Sequence, residues 1–213
     1  MNRYTYRLLV PAVLATTIFV AGCDGSEEEV DLDVLMVRNV PADPATGRDP
    51  VTGQPIGTTG RFTFYSLREN RVILSHTEAN RADSASNKWD IAFRSSTILV
   101  NGNGVGGGQG GAQVLESSFE NVAEAPSSGY NASSIGLESS SSVAWGTYNP
   151  ATMTVFPLAD RTIVLQTGNG SGYAKVKVLS YYQGAPQVPN PFQDLERYYT
   201  FEFVLQNDGR RFE

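Results

Sequence analysis

Thiols are almost absent from the chain: of 213 residues, only Cys23 is a cysteine. That excludes a disulfide framework and a thiolate metal site within one chain. Histidine is equally scarce. His76 stands alone, so Cys/His zinc spacings and the HExxH helix are missing. A Ser–His–acid triad would have to use His76, and no GxSxG elbow accompanies it. Positive charge is short as well. The 16 Lys and Arg residues face 22 Asp and Glu, for a net charge of −6, which disfavours nucleic-acid or anionic-lipid binding through charge. No apolar run reaches the roughly 20 residues that span a bilayer, and no long segment has a helical period. No pair of carboxylates stands out by its surroundings. The chain carries no catalytic constellation and reads as a non-enzyme.

What is present begins at the N-terminus. Arg3 and Arg7 precede an uncharged segment from Leu8 to Gly22, and Val20-Ala21-Gly22 leads straight into Cys23. A basic start, a short apolar centre and small residues at a cut point are the layout of an export signal. Small residues before a cysteine also match the lipobox of bacterial lipoproteins. Residues 1–22 are therefore expected to be a lipoprotein signal peptide, with Cys23 the lipid-attachment residue. Acyl chains, at about 0.8 kcal/mol per buried CH₂, would hold the chain to a membrane. Cleavage removes Arg3 and Arg7 and leaves 191 residues with a net charge of −8. The expected address is the cell envelope, at the outer membrane or the cell surface. Asp24, next to the acylated position, instead matches the inner-membrane retention signal of enteric bacteria.

Residues 23–60 read as the acylated Cys, an acidic tether and a Pro/Gly-rich arm. Asp24, Glu27, Glu28, Glu29, Asp31 and Asp33 crowd the first part, a solvated, self-repelling stretch. Pro41, Pro44, Pro50 and Pro55 punctuate the second. From residue 61 to 213 the period is two. Phe62 and Phe64 share one side; Trp89, Ile91 and Phe93 alternate with Asp90, Ala92 and Arg94; Tyr199, Phe201, Phe203 and Leu205 alternate with their neighbours. These are half-buried strands. TIVLQT and YAKVKVLSYY, separated by GNGSG, read as an antiparallel hairpin. The expectation is a mainly β fold, a single antiparallel-sheet domain with few short helices, one of them in VLESSFENVAEA.

The segment NGNGVGGGQGGAQ holds a formal GxGxxG at Gly102, Gly104 and Gly107. A dinucleotide site needs that turn to feed a helix within a βαβ unit, and the flanks here read as strand and loop. No GK[ST] follows, so a P-loop is excluded too. Backbone freedom beside a strand is the simpler use of these glycines.

Several of these segments together resemble one family. KWDIAFRSSTILVNGNGVGGGQGGA resembles the WDIAF…TN-G-G…G-GGA signature of the HmuY family of bacterial lipoproteins. GYAKVKVLSYYQG resembles that family's later tyrosine-ended strand, YYTFEFVLQ its closing strand, and RFTFYSL the start of its domain. The resemblance covers residues 60 to 212, with the motifs in order.

It implies a mostly β, lipid-tethered domain that binds haem or a related tetrapyrrole and hands it to an outer-membrane haem receptor. In that family the iron is held between two side chains, His or Met. A porphyrin asks for an apolar, aromatic-lined slot with ligands facing across it. After cleavage the candidates are His76, Met36 and Met153, so two histidines cannot ligate within one chain. Met153 lies where the resemblance places one ligand. The partner is expected between Phe119 and Leu137, which holds neither His nor Met, and Tyr130 is its phenolic candidate. Met36 and His76 match no motif position. The rival expectation is a structural or interaction lipoprotein of the same fold that lacks a full axial ligand pair.

Overall fold

Tyr199, Phe201 and Phe203, every second residue of the last strand, are fully buried where the sheet that carries them closes against a second sheet. The computed structural model describes residues 32–52, 55–138 and 143–213. Cys23, the export signal, the tether as far as Asp31 and the serine run at 139–142 lie outside these residues.

One sheet has five strands. Its spatial order is β1 (Leu35–Pro41), β14 (Glu196–Gln206), β13 (Tyr173–Tyr182), β12 (Thr162–Gln166) and β8 (Gly111–Leu115), with every neighbour antiparallel. The other has seven, ordered β11 (Thr154–Pro157), β10 (Ala144–Asn149), β9 (Ser134–Leu137), β7 (Thr97–Val100), β6 (Ile91–Arg94), β4 (Thr63–Ser66) and β5 (Arg71–Leu74). Only β9 and β10 run parallel in it. A ribbon of β2 (Gly47–Arg48) and β3 (Pro55–Ile56) and the short helix α1 (Arg81–Ser84) complete the described elements.

The sheets meet through aromatic rings. Phe93 lies 4.6 Å from Tyr199, Tyr65 lies 5.6 Å from Phe201, and Trp145 lies 5.2 Å from Tyr199. Each such side chain contributes about 1.5–3 kcal/mol when removed from water. Their polar atoms find partners across the gap. The Tyr199 hydroxyl donates to the Ser95 carbonyl at 3.0 Å, and the Trp145 indole N–H donates to Ser96 at 2.9 Å. Tyr182 on β13 accepts the Val155 N–H of β11 at 2.9 Å.

A second core covers the outer face of the five-stranded sheet. Phe119, Val122, Ala125 and Phe212 pack there on Val164 and Val204. Here the helix expected in VLESSFENVAEA is corrected. Val114 and Leu115 belong to β8, and Ser118–Val122 closes in turns through Asn121 and Val122 amides bonded three residues back. The Phe119 and Val122 carbonyls are held by the Lys175 ammonium at 3.1 and 3.0 Å. A side chain thus takes acceptors that helical amides would otherwise use.

Leu35–Pro41, assigned to the arm, pairs with Tyr198–Phe203 as the edge of the five-stranded sheet. The pattern was hidden by a bulge between Val37 and Val40, where Asn39 takes φ 57°. Its side-chain oxygen accepts the Gly184 N–H at 2.8 Å.

Candidate functional site

The segment with the strongest sequence signature serves structure. Trp89, Asp90 and Asn101 are fully buried. Asp90 Oδ2 accepts the Leu67 N–H at 2.8 Å, while Oδ1 takes Arg68 Nε at 2.9 Å and the Gly168 N–H at 2.8 Å. A buried charge is tolerable only with such pairing. Asn101 Nδ2 donates to the carbonyls of Ser86 and Trp89, and Oδ1 accepts the Gly108 N–H at 2.9 Å. The Gly-rich loop folds on this amide. A Cβ at Gly102 would run into the Gly110 carbonyl, and one at Gly110 into that of Gln166. These glycines permit close backbone approach, and no helix follows them to receive a phosphate.

A groove opens where the edge strand β8 of one sheet passes β9 and β10 of the other. It holds about 510 Å³, within the range of small-molecule sites. Ala112, Val114, Ala132, Val143 and Leu158 give it apolar walls. Glu138 and Arg161 also line it, and Arg161 pairs with Glu116 at 3.0 Å.

Tyr130 and Met153 do not meet in this groove or elsewhere. The Tyr130 ring leans on Tyr173, centroids 5.6 Å apart, and its hydroxyl donates to the Pro126 carbonyl at 2.7 Å. Burial holds that phenol above its ordinary pKa, with neighbouring Tyr173 adding to the shift, so the ligating phenolate is disfavoured. Met153 sits at the tip of the β10–β11 hairpin with φ 54°, and its side chain is 47% exposed. Tyr173 and Tyr182 end the ten-residue β13. Tyr130 touches the first, and the strand that follows Met153 is bonded to the second. The two candidates therefore occupy opposite ends of a strand about 30 Å long.

Other candidates fare similarly. Met36 is exposed on β1, opposite Glu202. His76 is half-buried, with Nδ1 3.2 Å from the Thr63 hydroxyl and its carbonyl accepting from Thr59 at 3.0 Å. Among the described residues no group of three His, Cys, Asp or Glu is placed to hold a metal. None of these four candidates lines the 510 Å³ groove. The described residues do not fit a haem iron bracketed by two side chains.

Sequence reasoning missed the roles of Asp90, Asn101 and Lys175. Asp90 had one signal, a charge inside an otherwise apolar alternation. Lys175 had none, because alternating Lys and Val in YAKVKV reads equally well as a solvated face. Lys175 is buried, its ammonium 4.7 Å from the Phe119 ring, and burial lowers its pKa.

The protein-family model described as HmuY protein matches residues 59–193. No curated protein matches the chain. Among solved structures, the chain is similar to the Tannerella forsythia apo HmuY analog (TFO). The identity is 16%, over 84% of this chain and 97% of that one, with a TM-score of 0.44.

Proposed function

This chain belongs to the HmuY family, and on that footing we propose that it is a lipid-anchored binding protein of the cell envelope that does not ligate haem iron through a side-chain pair of its own. It acts by contact, with a transporter or receptor as the partner, and performs no chemistry. The observation that carries this reading is the separation of Met153 from Tyr130 along β13. An iron needs both ligand atoms within about 5 Å of each other, roughly two metal–ligand bonds.

A second reading, capture of haem or a related tetrapyrrole for hand-over to an outer-membrane receptor, is favoured by one observation. Met153 is exposed and adopts a left-handed backbone conformation, which costs a non-glycine residue about 1–2 kcal/mol. Packing does not explain a methionine there. Family membership points the same way.

A haemin titration decides between them. The chain from Asp24 onward, which carries every described element, is titrated while the Soret band is followed in air and after dithionite, with Met153→Ala in parallel. The first reading expects the sum of free haemin and protein. A saturable one-to-one red shift that Met153→Ala weakens, most of all in the ferrous state, would overturn it and establish the second.

A further inference from the structure

The outer face of the seven-stranded sheet carries a second cavity, of about 560 Å³. It has an origin in the period-two pattern of β4. Thr63 and Tyr65 face the core, so Phe62 and Phe64 face outward and remain half-buried. Their ring centroids lie 6.3 Å apart, and Phe64 stands edge-on to the buried Trp89 at 4.9 Å. Leu74 of β5 completes the floor, and the stretch from Glu78 to Ser84 forms the opposite wall. That wall is pinned from behind, because the Trp89 indole N–H donates to the Ser84 carbonyl at 3.0 Å.

Two charged residues line the cavity, Arg61 and Glu78. Arg61 lines the cavity, is exposed, and forms no ion pair among the described residues. Arg94 lies over the Phe62 ring at 4.3 Å and donates to the Gly60 carbonyl at 3.0 Å. Of the two nearby carboxylates, Asp83 has a cationic partner and Glu78 is held by a backbone N–H and keeps its charge. Glu78 Oε2 accepts the Ser75 N–H at 3.0 Å, and Asp83 pairs with Lys88 at 2.8 Å. A floor of aromatic rings beneath an unpaired guanidinium suits a flat ring bearing an acid group.

We propose that this cavity is a binding site for a planar aromatic anion, a small aromatic carboxylate or sulfonate. The ring lies on Phe62 and Phe64, and the acid group meets Arg61. Binding here needs neither iron nor Met153, so it is independent of the haem question.

The test uses the chain from Asp24 onward and two probes of matched shape, 8-anilinonaphthalene-1-sulfonate and the uncharged N-phenyl-1-naphthylamine. Fluorescence titration is expected to give saturable one-to-one binding of the sulfonate. Arg61→Gln should weaken it about 3- to 5-fold, the size of a partly exposed ion pair, and leave the neutral probe unchanged. Phe64→Leu should weaken both probes, while Phe192→Ser, on a distant exposed loop, should alter neither. Near-ultraviolet circular dichroism checks that each variant is folded. Absence of saturable binding, equal sulfonate affinity in Arg61→Gln, or loss of binding in Phe192→Ser would each overturn the assignment.

Discussion

Asp90 and Gly168, 78 positions apart, are joined by a 2.8 Å hydrogen bond from the glycine N–H to Oδ1. It ties the entry of β6 in one sheet to the β12–β13 loop of the other. With Leu67 and Arg68 on the same carboxylate, Asp90 links three segments whose order in the sequence gives no hint that they meet.

Asp90→Asn should therefore be among the most damaging single changes. It removes a charge paired with Arg68 and turns a donor toward backbone N–H groups. Breaking a buried pair on one side costs about 3–5 kcal/mol. Urea denaturation should show the midpoint falling without a large change in slope.

Asn101→Ala should loosen the Gly-rich loop. The Gly108 N–H and the Ser86 and Trp89 carbonyls lose their shared partner, at about 1–3 kcal/mol for each group left buried and unpaired. Limited proteolysis should cut within 102–110 in the variant well before it cuts the parent chain.

Met153→Gly should leave the fold intact and raise stability by up to about 1 kcal/mol, because glycine adopts φ near 54° without a Cβ penalty. Thermal unfolding measures the change. A loss of stability would show that the side chain has a packing role that its exposure hides.

Stability should fall steeply in alkali. Burial pushes Tyr65 up to about 12 and also raises Tyr181, Tyr182 and Tyr199. A raised folded pKa means the stabilisation is complete below the unfolded phenol pKa of about 10 and is lost as pH rises above it. For Tyr65 the loss continues to about 12. Each tyrosine contributes about 1.4 kcal/mol per pH unit within its window. Unfolding followed by tyrosinate absorbance at 295 nm, as pH is raised from about 9 to 12, should coincide with loss of far-ultraviolet dichroism.

Local alternation made much of the fold legible. Ile91 and Phe93 point inward as their spacing implies, while Trp89, two residues earlier, is buried on the opposite side against Phe64, and the hairpin of β12 and β13 stands where the Gly-rich GNGSG loop placed it. Partition into two sheets was not legible, since the parallel pairing of β9 with β10 and the arrival of β1 on β14 depend on partners far away in sequence. The candidate site suffered for the same reason. Tyr130 and Met153 are 23 positions apart, yet the chain between them crosses from the end of β13 at Tyr173 to the end at Tyr182. Side-chain chemistry identifies which atoms could bind a metal; only topology says whether they face each other.

The antiparallel pairing of β1 with β14 has a mechanical consequence. Leu35 enters beside Phe203 and Pro41 leaves beside Tyr198, so the N-terminal end of β1 lies toward the Tyr173 end of the sheet, away from the Met153 tip. A pull arriving from upstream of Leu35 runs along the strand and loads its transverse hydrogen bonds in shear, all at once. Peeling would break them one by one. A molecule held at its N-terminus and gripped at the far loops would resist extraction with its whole edge strand.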